Sequence, residues 1–408
     1  MPGRLKVLVA ICTMDGGGAE HQVIAILNHL DRRRFTPLLY LLNDCGELIS
    51  EVPGDVPVFS LSKRMPHARR PFPGWSQCAG RWDLACVLAE QQVDVIYDRT
   101  YRMTLIAAGA TRFCAVPRVA ACVADPEVEL RQHARISIGL SRWNARRAYR
   151  RASIVAANSH GLRQRVIDYF QLPPEHVTVL PNLVDVNRID RLAESGAPPF
   201  EPGRFHIVSV GRLHPQKGYR HLLSAIDLLV NRLGQREICW HLLGTGPEEP
   251  VLRSEVAARG LTGHVRFEGF LHNAFSSIRA ANLLCLPSLN EGFPNVLAEA
   301  AVCRTPILAA DCPSGPREIL DGGRLGRLVP PANTQALADA ILDCIVHPAT
   351  WQARTEAARQ HVETHYALAA GMSQLQELLE RAAGAKSERQ RRHRTLYPGR
   401  NINTTTAM

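Results

Sequence analysis

The chain has 408 residues, 46% of them hydrophobic and 21% charged, enough apolar material for two ordinary cores. Its longest apolar runs, at residues 7–12, 207–210 and 283–286, are strand-sized and far short of the ~20 residues of a membrane-spanning helix. Residues 1–6 lead straight into a strand without the apolar stretch and cleavage site of a leader, so a cytoplasmic protein is expected.

The net charge of +10 is unevenly spread. Residues 1–190 carry 24 Lys/Arg against 18 Asp/Glu, residues 191–385 carry 18 against 19, and the tail from Lys386 carries 6 against 1. A basic first half and tail point to an anionic partner such as lipid headgroups, phosphates or nucleic acid. The eleven cysteines include no Cys-x-x-Cys. The usual zinc and redox spacings are absent, and reduced thiols packed as small hydrophobes are expected.

Short apolar strands alternate with helical patterns, which predicts parallel sheets in βαβ units. In the first half, strands are expected at 5–12, 38–42, 93–97, 118–123, 153–157 and 177–180, with a helix over 19–30. Turn formers without periodicity over 194–203 predict a boundary. A second series then follows, with strands at 206–210, 238–243, 265–267, 283–286 and 306–309. Helices are expected at 222–233, 274–280, from about 294, at 335–346 and at 351–382. Two doubly wound domains of this kind face each other across a cleft at the carboxyl ends of their strands, where such folds bind ligands.

Five loops at strand ends carry the chemistry. The first, Gly16-Gly17-Gly18-Ala19-Glu20, opens a helix, where glycines let the backbone approach a ligand and free N–H groups favour an anion. The second, Gly211-Arg212-Leu213-His214-Pro215-Gln216-Lys217-Gly218, offers a planar guanidinium and a compact ammonium to phosphate oxygens. The third is Glu291-Gly292-Phe293-Pro294-Asn295, with Glu299 farther along the helix that Pro294 begins. Its two carboxylates suit sugar and ribose hydroxyls, and its free amides suit an anion. The turns Gly244-Thr245-Gly246-Pro247 and Asp311-Cys312-Pro313-Ser314-Gly315 complete the set. No Asp-x-Asp occurs, so no metal clamp is signalled; Arg212 and Lys217 stand as the positive charge on a leaving diphosphate.

Taken in order, Val-Gly-Arg-Leu-x-x-x-Lys-Gly, Gly-x-Gly-Pro and Glu-Gly-Phe-Pro-x-x-x-x-Glu resemble family 4 of the retaining glycosyltransferases (glycosyl transferases group 1). Gly17-Gly18-Ala19-Glu20 and Pro181-Asn182-x-Val184-Asp185 match as well, and the likeness covers roughly residues 5–380. It implies an α/β GT-B fold of two Rossmann-like doubly wound domains. On that pattern the chain divides into an acceptor-side domain (1–192), a linker (193–204) and a donor domain (205–360). A C-terminal helix (361–385) packs back on the first domain, and a basic disordered tail (386–408) follows. The resemblance further implies that Arg212 and Lys217 bind the diphosphate of a UDP-linked sugar, Glu291 the transferred sugar and Glu299 the ribose. Gly292, Phe293 and Asn295 line the sugar–phosphate site with their amides, Gly211, Gly244 and Gly246 form donor-side turns, and Gly16, Gly17 and Gly18 shape the cleft opposite. Retention, no cofactor, no metal, and a saccharide or lipid-linked acceptor are implied with it.

Many relatives carry a histidine after the strand at 118–123, where this chain has Ala124-Asp125-Pro126. Asp125 either faces the acceptor as a catalytic group or caps the next helix. His214 is read as a bystander. Arg142, Arg146 and Arg150 share a helix face by i, i+4 spacing. With the loop from Lys63 through Arg64, Arg69 and Arg70 to Phe72 and Trp75, they suit an anionic bilayer surface. The rival readings are a nucleotide-sugar epimerase on the same fold, a nucleic-acid-binding protein, for which no motif is present, and a nicotinamide enzyme, for which no Gly-x-Gly-x-x-G follows the first strand.

Overall fold

The computed structural model describes residues 3–66, 75–133, 137–195 and 200–396; Arg69, Arg70 and Phe72 of the expected basic loop lie outside them. Seven strands form the first sheet: β1 (Leu5–Ile11), β2 (Phe35–Leu41), β3 (Val58–Ser60), β4 (Val95–Arg99), β5 (Arg118–Cys122), β6 (Ile154–Ala157) and β7 (Val177–Val179). Their order is β3-β2-β1-β4-β5-β6-β7, and every pairing is parallel, as in Leu8 opposite both Leu38 and Ile96. Six more strands form the second: β8 (Phe205–Val210), β9 (Ile238–Leu243), β10 (Val265–Gly269), β11 (Leu283–Leu286), β12 (Ile307–Ala310) and β13 (Arg327–Val329). Their order is β10-β9-β8-β11-β12-β13, again all parallel.

The central strands read as unbroken apolar runs because helices cover both faces; Val7–Ile11 of β1 are fully buried. The expected two-domain α/β architecture is the one observed. The order of strands reverses between β1 and β4 in one sheet and between β8 and β11 in the other. The loops after β1, β8 and β11 therefore sit at the two switch points, where doubly wound sheets open a crevice. The short strands β3 and β13 are absent from the sequence reading.

The domain boundaries differ from expectation. The helix Val186–Ala193, assigned to the first domain, buries Ile189 and Ala193 in the second-domain core with Ala301 and Val302. The region read as one helix over 351–382 is broken into Pro348–Gln352, Thr355–His365 and Leu368–Leu396. Ala358 and Val362 still belong to the second core, whereas Met372, Leu375, Leu378, Leu379 and Ala382 pack into the first. The chain thus crosses between domains at Val184 and at Tyr366–Leu368. There Val184 N–H donates to the Tyr366 carbonyl and Leu368 N–H to the Val184 carbonyl, each at 3.0 Å. The last helix runs to Leu396 where disorder is expected from Lys386; Ala, Glu, Gln, Lys and Arg are strong helix formers, and that outweighs their polarity. Residues 397–408 lie outside the described ones.

Candidate active site

The loops after β8 and β11 are laced together. Leu289 N–H donates to the Gln216 carbonyl at 2.8 Å, and Gln216 Nε2 donates to the Asn290 carbonyl at 2.9 Å. Gly218 makes the approach close: its φ is +66°, and a Cβ there would run into the Pro287 carbonyl. This lacing brings Lys217 to Glu291, with Nζ 2.7 Å from Oε1. Ser288 Oγ donates to the same oxygen at 2.6 Å, and Ser314 Oγ to the Glu291 carbonyl at 2.6 Å. Arg212 is exposed and makes no hydrogen bond or ion pair among the described residues. His214 accepts from Gln216 N–H at 3.3 Å and so caps the turn Pro215–Lys217. Gly244 and Gly246 press against the backbone of Gly211 and Leu213; they support the Arg212–Lys217 loop from behind.

Glu299 projects from the helix Asn295–Val302. Burial pushes its carboxyl up to about 7, opposed only by the charge of Arg188. Phe293 lies edge-on to Tyr366 at 5.1 Å, so its ring packs at the interdomain crossing and only its amide remains for a ligand. The Asn295 side chain reaches across the cleft: its Oδ1 accepts from Asn182 Nδ2 at 2.7 Å, and its Nδ2 is 3.5 Å from the Gly18 carbonyl. Asn182 Oδ1 in turn accepts from Arg99 at 2.7 Å.

On the facing side, a Cβ at Gly16 would touch Phe270 at 3.3 Å, one at Gly17 would collide with the Glu20 carboxylate, and one at Gly18 would meet the Asn295 amide at 3.0 Å. Gly16 and Gly18 thus lie against second-domain side chains, whereas Gly17 is crowded by Glu20 of its own helix. Gly292 sits similarly against the Val123 carbonyl and Asn158.

Asp125 is a cap. Its Oδ1 accepts from Glu127 N–H at 3.0 Å and Val128 N–H at 3.2 Å, and its Oδ2 is paired with Arg165. With both oxygens engaged and the residue buried, it is not a free base, and the catalytic assignment is replaced by the capping one. At Glu129, one turn on, burial raises the carboxyl to about 7, with the Asp125 charge adding to the rise. Sequence reading misses it because nothing local distinguishes it from an ordinary helix glutamate. Glu318 is missed for the same reason. It belongs to the second domain, yet its carboxylate accepts from His160 N–H at 2.8 Å and Gly161 N–H at 2.7 Å in the first.

The expected Arg142–Arg146–Arg150 face is not a uniform exposed surface. Arg142 donates to the Tyr169 carbonyl and stacks on its ring, and Arg146 buries its Nε. Arg142 and Arg150 are exposed on the helix Ile138–Arg150, and so are Ile138, Leu140 and Trp143, with Arg147 over the indole.

Residues 16–188 match the family described as Glycosyltransferase Family 4, and residues 204–347 match Glycosyl transferases group 1. The chain superposes on Anabaena Alr3699/HepE in complex with UDP-glucose with a TM-score of 0.75 at 23% identity, covering 92% of this chain and 100% of that one. The chain has the architecture of a GT-B glycosyltransferase. This GT-B fold also matches sucrose-phosphate synthase from Thermosynechococcus elongatus, with a TM-score of 0.77 at 15% identity over 94% of this chain and 100% of that one. Among curated proteins, alpha-D-kanosaminyltransferase of Streptomyces kanamyceticus is 29% identical over 59% of this chain and 64% of its own length. A phosphatidyl-myo-inositol mannosyltransferase of Mycobacterium leprae is 35% identical over 33% and 36% respectively. The matched segments thus span less than two thirds of these curated relatives. No helix among the described residues is long and apolar enough to cross a membrane.

Proposed function

We propose that the protein transfers a sugar from a nucleoside diphosphate donor, UDP-linked, to a saccharide or lipid-linked acceptor, with retention of anomeric configuration and without a metal. The observation that carries this reading is the Lys217–Glu291 pair at 2.7 Å, held where the switch-point loops meet, with Arg212 free beside it and Glu299 on the helix that follows. The Lys217 ammonium has three donors, so it serves Glu291 and a phosphate oxygen together. Arg212 adds a bidentate fork. As the anomeric carbon–oxygen bond breaks, its electron pair passes to the diphosphate, where these two cations and the amides from Gly292 to Asn295 receive the charge. The acceptor hydroxyl attacks from the same face and gives its proton to the departing phosphate oxygen. Glu291 orients sugar hydroxyls, and Glu299 accepts from the ribose. The UDP-glucose complex of the structurally similar HepE supports a uridine donor.

A membrane-presented acceptor is supported by the exposed Ile138, Leu140 and Trp143 beside Arg147, a pattern suited to an anionic interface, and by relatives named as phosphatidyl-myo-inositol and diphospho-undecaprenol transferases. In that setting the protein sits on the cytoplasmic face as a peripheral enzyme.

The deciding experiment is thermal-shift binding across a panel of nucleotide sugars, repeated with Lys217→Ala and Glu299→Ala and followed by acceptor assays with and without EDTA. A shift for one donor, lost in both variants, with transfer unaffected by EDTA, supports the reading. Isomerisation of the donor without acceptor would replace it with an epimerase.

A further inference from the structure

At the opposite end of β8 from Gly211, two imidazoles and a thiol converge. Cys239 and His241 alternate along β9 and so share a face, and the strand register sets His206 of β8 opposite Cys239. The two imidazoles and the thiol are all buried, and their ligand atoms lie within 4.8 Å of one another. The outer nitrogen of each ring meets an acceptor: His206 Nε2 is 2.7 Å from the Glu201 carbonyl, and His241 Nδ1 is 2.8 Å from Glu268 Oε1. Each outer nitrogen therefore carries a hydrogen, and two neutral rings held this way turn bare lone pairs inward. The inner nitrogens, His206 Nδ1 and His241 Nε2, stand 3.0 Å apart. Facing lone pairs at that separation repel unless a cation lies between them, which is either a shared proton or a metal ion.

The thiol of Cys239 as a third donor favours the metal. We propose that His206, Cys239 and His241 bind one zinc-class divalent ion, which pins the segment entering the second domain to the base of its sheet. Two nitrogens and a sulfur make a borderline-soft set suited to such an ion. Hydrogen bonds from the outer nitrogens to a carbonyl and a carboxylate are the arrangement that orients histidine ligands. Zinc takes nitrogen at about 2.0–2.1 Å and sulfur at about 2.3 Å, so the inner nitrogens part by a few tenths of an ångström and the sulfur closes in. Phe200 covers the cluster, its ring 4.7 Å from His206 and 4.2 Å from His241. Five residues of strand, roughly 16 Å at the usual rise, separate His206 from the Gly211 loop, so this centre is distinct from the donor site. No linear spacing announces it, because its ligands come from two adjacent strands, and it stands apart from the transfer proposed above, which uses no metal at the diphosphate.

The test uses the full chain, stripped with EDTA, loaded with Zn²⁺ or Co²⁺ and passed through a desalting column. We expect one retained equivalent, a thiolate-to-cobalt charge-transfer band, and a rise in melting temperature on adding Zn²⁺. Cys239→Ser should abolish the band, and His241→Ala should lose the retained ion and the thermal shift. Exposed Cys45 and Cys78 are the competing sites. Retention or a band equal in wild type and Cys239→Ser, or no uptake by wild type at all, would overturn the proposal and leave the two rings sharing a proton.

Discussion

Glu318 of the second domain caps a helix of the first: its two carboxylate oxygens accept from the N–H groups of His160 and Gly161, at 2.8 and 2.7 Å. Those amides open the helix His160–Phe170, where Ser159 already takes the Leu162 N–H. A carboxylate at a helix N-terminus is favoured by both the free donors and the helix dipole, and here it joins the domains. Glu318 follows the Ser314 loop that holds the Glu291 carbonyl, so this latch bears on the proposed donor site.

Losing the latch should loosen the closed arrangement. A helix cap is worth about 1 kcal/mol, and at 1.4 kcal/mol per decade Glu318→Ala should shift the open–closed balance by roughly fivefold. The expected result is a larger radius of gyration by small-angle scattering and faster donor hydrolysis relative to transfer, as water enters a less closed cleft. An unchanged ratio with an unchanged radius would remove the latch from the mechanism.

Lys217 and Arg212 should differ in what they cost. On the proposed reading each stabilises charge that develops on the diphosphate, and removing one such group typically lowers turnover by about 10²–10³. Lys217→Ala also leaves the buried Glu291 carboxylate without its cation, so its melting temperature should fall, while Arg212→Ala, at an exposed position, should keep wild-type stability. Turnover and thermal unfolding of the two variants separate the catalytic from the structural share.

Asp125 behaves as a cap in the structure, and its variants should show it. Asp125→Ala removes the acceptor of the Glu127 and Val128 amides and the charge facing Arg165. The expected outcome is a stability loss on the order of 1 kcal/mol with the shape of the pH–rate profile preserved. A loss of one limb of that profile would restore Asp125 as an acid or base.

Strand positions were legible because β1, β8 and β11 are buried on both faces and read as apolar runs. The Lys217 and Glu291 loops were legible because their glycines and charges cluster in a few residues each. The crossing between domains was not: the helix Val186–Ala193 is amphipathic like any other, and only the partner it packs on assigns it to the second domain. The same holds for Glu318, Glu129 and the His206–His241 pair. Each is defined by a neighbour distant in sequence, about which the local residues say nothing.

Glu299 carries the pH prediction. Its carboxyl titrates near 7 in the folded chain, raised from 4.5 by burial. Between those values the unfolded chain releases its proton first, so the folded state binds more protons and stability falls as pH rises, levelling off above about 7. Donor binding runs the other way if Glu299 accepts from the ribose, since the carboxylate is the better acceptor. Affinity for the donor should therefore increase from pH 6 to 8 in the wild type while the melting temperature drifts down. Glu299→Gln, which cannot ionise, should flatten the affinity trend and bind the donor more weakly at pH 8, while Glu129, also raised to about 7 by burial, keeps part of the drift in melting temperature. Calorimetric titrations at pH 6, 7 and 8 test this: a wild-type affinity independent of pH, or a Gln variant with the same slope, would assign the ribose contact elsewhere.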